Sequence, residues 1–342
     1  MGTLGVGIIG AGPVTQAIHL PALARLGDLF TVRRIMDIDP GVARTVAARV
    51  GAAPAGTVAE VLEDPAVDVV AICSPHAFHA DQTILACQTG KRAVLTEKPF
   101  TESVADAERV AAVSRATGVP VMVGTMHLYD PGWRAAFEAW GTGPATTIRS
   151  SVVLPPNPRM EDFATEVTGR PPAAPPSGPP TTEQRARSVH GGLMGLAIHN
   201  IPHVRALLPA GGLVVVDAVA LPHGYHVAAT YGECQIEWQF AMYDTWRPDW
   251  VFEAYAPHKA MHVQFTPSYV QAGSASATVT TPQGTTTVRP APDNGYVAEW
   301  RELARVARGD VPPPDPDGLV ADLALALTVA DAAAAFVRGG QA

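Results

Sequence analysis

The first forty residues constrain this chain more than any other stretch. Val6-Gly7-Ile8-Ile9 runs into Gly10-Ala11-Gly12-Pro13-Val14-Thr15, and an acid, Asp37, closes the later apolar segment Thr31 to Met36. An apolar run of this kind suits a strand buried on both faces, and Gly10 permits the tight turn at its end. Gly12 has no Cβ, so a pyrophosphate could lie against the backbone at the N-terminus of the following helix, where unpaired N–H groups favour an anion. The order strand, glycine turn, helix, strand, acid predicts a dinucleotide-binding βαβ unit, although Thr15 stands where its fingerprint has a third glycine. A carboxylate at Asp37 would accept from an adenosine ribose and repel a 2′-phosphate. NAD is therefore expected in preference to NADP.

The pattern then alternates. Helical stretches at Pro40 to Val50, Val58 to Asp64, Ala77 to Gly90 and Ser103 to Gly118 separate apolar strands at Val67 to Cys73, Ala93 to Thr96 and Val119 to Val123. This predicts a doubly wound parallel sheet over residues 1–124, with Gly10, Ser74, Glu97 and Gly124 on one edge of one crevice. From residue 125 to 342 the texture changes to longer β-rich runs at Thr146 to Leu154, Leu213 to Leu221, Val227 to Ala229, Cys234 to Tyr243, Val251 to Ala256 and Ala275 to Thr280. A second α/β domain with a large, mostly antiparallel open sheet is expected there. Nine prolines between Leu154 and Pro180 predict a loop or lid. The final helix, Leu319 to Val337, is apolar almost all round and should be buried.

With 342 residues there is length for two cores, and 47% hydrophobic against 16% charged residues excludes a disordered chain. A net charge of −8 with only Lys91, Lys98 and Lys259 as lysines disfavours nucleic acid or an anionic membrane as partner. Cys73, Cys87 and Cys234 have neither metal-ligand spacing nor an even number, so a reducing, cytoplasmic setting is expected. No charged n-region stands before the first strand and Asp322 and Asp331 interrupt the Ala-rich tail, so neither export nor a membrane anchor is expected. The pairs His199/His203 and His258/His262 lack the Glu of a zinc peptidase helix, and no metal is expected.

Two further motifs are distinctive. Cys73-Ser74-Pro75-His76-Ala77-Phe78-His79 stands where a strand passes into a helix, and Thr96-Glu97-Lys98-Pro99 ends the next strand. With Gly10-Ala11-Gly12, Asp37 and the distant segment from Gly191-Gly192 to His199, they make the chain resemble the Gfo/Idh/MocA family of glucose-fructose oxidoreductase and inositol-dehydrogenase relatives. The resemblance covers nearly the whole chain in order and implies an NAD(P)-binding Rossmann domain followed by an α/β substrate domain.

It also implies roles for particular residues. Gly10, Ala11, Gly12, Pro13, Val14 and Asp37 would hold the dinucleotide, Ser74, Pro75, His76 and His79 would line it, and Glu97 would border the nicotinamide ribose. Lys98 would touch both nicotinamide and substrate. An ammonium there is pushed toward a lower pKa by burial and by an oxidised nicotinamide, and can exchange a proton with a substrate hydroxyl.

The second half departs from the family. An Asp four residues before the histidine, a Gly between them and an Asp three after it are replaced by Gly195, Ala197 and Pro202 around His199. His203 or His190 could partly substitute for the missing acid. His127 and Tyr129, in Gly124-Thr125-Met126-His127-Leu128-Tyr129, replace a polar Asn-Arg pair and become candidates for the acid or base. The aromatic group Trp238, Tyr243, Trp246 and Trp250 reads as core or interface packing, with stacking on a sugar as the alternative.

The reading is an NAD-dependent oxidoreductase acting on a secondary alcohol or ketone of a sugar or other cyclic metabolite. A homo-oligomer, dimer or tetramer, is expected through the C-terminal sheet, where Trp238, Phe240 and Trp250 would otherwise face water. The rival readings are a redox-neutral lyase, epimerase or glycosidase that regenerates NAD each turnover, and an NAD-binding module that has lost catalysis.

Overall fold

The first strand, β1 (Leu4–Ile9), is buried along its whole length, as expected of a strand covered on both faces. It is flanked in space by β2 (Phe30–Met36) and β4 (Val69–Ile72), with β3 (Ala53–Ala55), β5 (Ala93–Thr96) and β6 (Val121–Val123) outward of them. The order 3-2-1-4-5-6, parallel throughout, is that of a dinucleotide-binding sheet. The computed structural model describes residues 2–170, 172 and 178–339. Among them β3 has no counterpart in the sequence reading, because Ala-Pro-Ala carries no strand signal. Its proline is tolerated at the sheet edge, where a missing N–H breaks no central ladder.

The helix after β1 carries a π turn at Thr15–His19, in which Leu20 N–H reaches Thr15 O and all five residues are buried. Helices Pro40–Arg49, Val58–Leu62 and Val104–Thr117 open on Asp39, Thr57 and Ser103, whose side chains accept first-turn N–H groups.

The second sheet is built from β7 (Thr147–Leu154), β8 (Leu213–Leu221), β9 (Gly224–Tyr231), β10 (Cys234–Met242), β11 (Asp249–Ala256), β12 (Lys259–Gln264), β13 (Ser276–Thr281) and β14 (Gly284–Val288). Its order is β14-β13-β12-β11-β7-β10-β9-β8, antiparallel except where β7 lies parallel to β10. Two of its strands are short: β14, Gly-Thr-Thr-Thr-Val, is polar, and β12 offers only Met261 and Val263 in alternation. Helices Pro131–Trp140 and Thr182–Gly195 pack on one face. Trp238, Trp250 and Phe252 point to that covered face and are fully buried, each contributing about 2–3 kcal/mol. The expectation that Trp238 and Trp250 would be left facing water is therefore corrected. Val214, Val216, Val219 and Leu221 form an exposed apolar row on edge strand β8.

Three segments depart further from the sequence reading. The proline-rich stretch contains a helix, Asn157–Ala164, where a loop was expected; residues 171 and 173–177 of that stretch lie outside the described residues. Pro158 sits near the helix start, where its missing N–H costs nothing. The last helix, Pro316–Gly339, buries a stripe, Leu323, Ala326, Val329, Ala330, Ala333 and Ala334, rather than its whole circumference. By length and composition that helix is long and apolar enough to cross a membrane, and about a third of its most apolar stretch is buried within the chain.

The chain divides into two units, Met1–Met126 with Glu161–Pro172 and Tyr296–Leu323, and His127–Met160 with Ala173–Gly295 and Ala324–Ala342. A single cut after residue 124 does not express this, since two later segments return to the first unit. In the second unit, Asp130 caps helix Pro131–Trp140 by accepting from Gly132 N–H and Trp133 N–H, and also takes Ala275 N–H just before β13. Asp130→Ala strands three buried donors and is expected to destabilise the protein by about 2–4 kcal/mol, read as a lowered urea midpoint with unchanged slope.

Candidate active site

Gly10, Ser74, Glu97 and Gly124 follow the ends of β1, β4, β5 and β6, so the four strand ends form one edge of the first unit. Gly10 has φ +98°, and a Cβ there would stand 2.5 Å from Cys73 O; only glycine allows the chain to turn this close to the neighbouring strand end. A Cβ on Gly12 would meet nothing within 4 Å, so the turn opens on free space at the start of the helix. Thr15 fills the place of the third glycine with a function of its own, donating to Gly10 O at 2.6 Å and tying helix to turn.

Asp37 closes the far side. One carboxylate oxygen accepts Ala11 N–H at 2.8 Å and the other accepts Asp39 N–H at 2.9 Å, which locks the acid against the glycine turn while leaving lone pairs for hydroxyl donors. An open, amide-lined turn with an acid beside it fits a dinucleotide.

At the end of β5, Glu97 is buried yet held ionised. His19, fully buried on the π turn, donates from Nε2 to Glu97 Oε1 at 2.9 Å, and Lys98 N–H donates to Oε2 at 3.1 Å. Burial opposes the charge, but the hydrogen bond from His19, the nearby Lys98 ammonium and the Lys98 amide outweigh it and hold the carboxyl below its usual range. Gly124 leaves the space this carboxylate occupies: a Cβ there would lie 3.1 Å from it. Lys98 itself is half-buried, and its ammonium is pushed down by desolvation against the opposing pull of Glu97. A lysine so placed gives up its proton more readily than a surface lysine.

The Ser74–His79 segment divides in two. Ser74 donates to Gln82 at 2.6 Å, and Pro75 and His76 are exposed at the rim. His76 is held below its usual range by desolvation, with His79 and Lys98 adding to it. His79, placed along the cofactor by the family resemblance, is 0% exposed, its two ring nitrogens set 2.8 Å from Ser74 O and 2.8 Å from Pro99 O. It clamps one strand-end loop to the next.

The other sequence candidates belong to the second unit. His127 is stacked on Phe265 with ring centroids 3.9 Å apart and meets Trp250 edge-on at 4.5 Å. His203 lies edge-on to Trp133 at 3.9 Å, and His199 lies 5.9 Å from His127 and 5.6 Å from Trp250. His199 stands on a 3-10 turn, Ala197–Asn200, and His203 on the following helix Ile201–Ala206, rather than both on one α-helix. Tyr129 is buried beneath Arg134. His190 turns away to pair with Asp331 at 3.4 Å. Around Gly195 a Cβ would meet nothing within 4 Å, so the position of the family's acid is open.

Sequence reasoning missed His19, Gln16, Glu299 and Trp300. Gln16 donates to Ala11 O and Thr168 O and accepts Thr168 N–H and Arg49, fastening segment Glu161–Pro172 beside the glycine turn. A polar pair one turn into an otherwise apolar helix was the available signal; Trp300 and Glu299 lie too far along the chain for any local pattern to connect them.

The fold and this edge are those of a dinucleotide-binding domain. Residues 4–125 match the Gfo/Idh/MocA family of oxidoreductases with an NAD-binding Rossmann fold. It is 39% identical over 77 residues, 22% of either chain, to scyllo-inositol 2-dehydrogenase (NAD(+)) of Bacillus subtilis. It is 33% identical over 157 residues to dTDP-3,4-didehydro-2,6-dideoxy-alpha-D-glucose 3-reductase of Actinomadura kijaniata, 45% of this chain and 47% of that one. These alignments thus span less than half of each relative. In fold it matches UDP-N-acetylglucosamine 3-dehydrogenase of Acidithiobacillus ferrooxidans (TM-score 0.74, 18% identity, 98% and 100% of the two chains). It also matches a 3-ketoreductase of Actinomadura kijaniata bound to NADP and TDP-benzene (TM-score 0.70, 22% identity, 96% and 97%).

The buried histidines make stability depend on pH. Desolvation pushes His127 well below its usual range and His203 down to about 3, whereas both titrate near pH 6.5 once unfolded. Their depressed folded values mean that stability is complete above about pH 6.5 and falls as the pH is lowered from there toward the folded values, by up to about 1.4 kcal/mol per unit per histidine. Urea midpoints measured from neutral to mildly acidic pH should show this slope, and His203→Phe should flatten it.

Proposed function

We propose that the protein is an NAD-dependent oxidoreductase that moves a hydride between the nicotinamide and a secondary alcohol or ketone, in a sugar or other cyclic metabolite. The observation that carries this is the strand-end edge itself, with the open glycine turn and Asp37 at one end and the buried Glu97 beside a half-buried Lys98 at the other. The nicotinamide, when bound, supplies the hydride acceptor or donor. The backbone amides after Gly12 hold the pyrophosphate, and Asp37 takes the ribose hydroxyls. Lys98, its pKa lowered by desolvation and steadied by Glu97, takes the proton of the substrate hydroxyl or returns it to the carbonyl oxygen.

The preference for NAD over NADP rests on the acids of the turn after β2. A 2′-phosphate would meet Asp37 and, two residues on, Asp39. Calorimetry at fixed salt should give NAD at least about tenfold tighter, near 1.4 kcal/mol, with Asp37→Ser relaxing the difference; equal affinities for the unmutated protein would remove Asp37 from the site. Lys98→Ala should lower turnover about 10²- to 10⁴-fold, followed as NADH formation across a panel of polyols and sugars, while dinucleotide affinity stays within a few fold. Full activity in Lys98→Ala would dismiss the proposed role.

The exposed apolar row on β8, at the open edge of the large sheet, supports assembly with a second copy through that sheet. Sedimentation should give a dimer or tetramer at micromolar concentration, and Val216→Lys together with Val219→Lys should shift it toward monomer.

A further inference from the structure

Helix Gly295–Arg308 carries two buried polar groups of the first unit that have no part in the proposed hydride transfer. Trp300 donates its indole N–H to Nδ1 of His19 at 3.1 Å, and Glu299, 0% exposed, has neither carboxyl oxygen hydrogen-bonded. An indole nitrogen can donate and cannot accept. Nδ1 of His19 must therefore present its lone pair, which leaves the ring proton on Nε2, 2.9 Å from Glu97 Oε1. Both ring nitrogens are used, and each is committed to one direction.

We propose that Trp300 and His19 are positioning residues for the Glu97–Lys98 pair: Trp300 selects the Nε2–H tautomer of His19, and that tautomer holds the Glu97 carboxylate with its second oxygen on the Lys98 amide. A neutral His19 leaves the full charge of Glu97 to face Lys98, whereas an imidazolium would cancel it. The groups that face His19 are Cys73 at the end of β4, Glu97 and Lys98 after β5, and Glu299 and Trp300 on the helix. Burial disfavours the protonated ring, but Cys73 and Glu97 together outweigh it and pull the ring's pKa well above the usual value. The Trp300 N–H reverses that balance, because a proton on Nδ1 would set two donors against each other at 3.1 Å. Glu299 adds no charge, since burial and the nearby Glu97 both keep its proton on.

The inference rests on Lys98 as the proton-transfer group, and its test reads His19 and Lys98 without any substrate. In ¹⁵N-labelled protein, the His19 imidazole, assigned by its loss in His19→Asn, is expected to show the Nε2–H pattern between about pH 6 and 8. Trp300→Phe keeps the ring bulk and removes the donor, so His19 should gain imidazolium character. With only three lysines in the chain, Lys98 can be followed by its acylation rate against pH, with Lys91 and Lys259 as internal references in mass spectrometry. Its midpoint should fall by about half a pH unit or more in Trp300→Phe and in His19→Asn, as the Glu97 charge is cancelled or loses its donor. His19→Gln places an amide N–H where Nε2 stood and should keep the midpoint. An imidazolium in the unmutated protein overturns the proposal, as do His19→Gln and His19→Asn behaving alike; these decide the matter even if Trp300→Phe does not fold. Failure of the Lys98 assignment would show separately, as turnover retained in Lys98→Ala with the His19 spectrum intact.

Discussion

A buried carboxylate is tolerated only where donors replace the water it has lost, and Glu97 is the place where this chain meets that demand. Its two oxygens take a side-chain donor from His19 and a backbone donor from Lys98. Everything around it follows. The π turn brings His19 inward, Trp300 donates to the other nitrogen of that imidazole, and glycine at 124 leaves the volume that any side chain would take. The lysine that follows Glu97 in sequence thereby inherits a fixed negative neighbour in a largely desolvated setting, the combination that makes an amine both charged at rest and able to release its proton.

The second unit solves a different problem. His127 and His203 sit among Trp133, Trp250, Phe252 and Phe265, where no carboxylate among the described residues supports a positive ring. Desolvation keeps these two histidines neutral, so they contribute as flat, polarisable core side chains. His199, beside them on its 3-10 turn, lacks the acid that the Gfo/Idh/MocA family supplies four residues earlier, and the space at Gly195 is open. In this unit these histidines are surrounded by aromatic packing.

How much can be read from the chain follows the same division. Strand, glycine turn, helix and acid are local and periodic, so β1, β2, β4, β5 and β6 and the residues Gly10, Asp37, Glu97 and Lys98 are legible in the amino-acid order alone. The short strands β12 and β14 are not, because two alternating apolar residues in one and a polar run in the other leave their pairing to neighbours across the sheet. The helix Asn157–Ala164 is hidden by prolines that the local rules read as breakers, although Pro158 stands where a helix accepts one.

The amino-acid order by itself determined the nucleotide edge, since a glycine that must turn and an acid that ends the next strand act over a few residues. Tertiary structure alone decided which histidines are polar partners and which are core. His19 and His203 look alike in a sequence. One is met by Trp300 and Glu97, brought together from residues 97 and 300, and becomes a directed donor; the other is met by aromatic rings and stays neutral. An imidazole's state is set by the charges and donors that surround it, and only the folded chain brings those within hydrogen-bond reach.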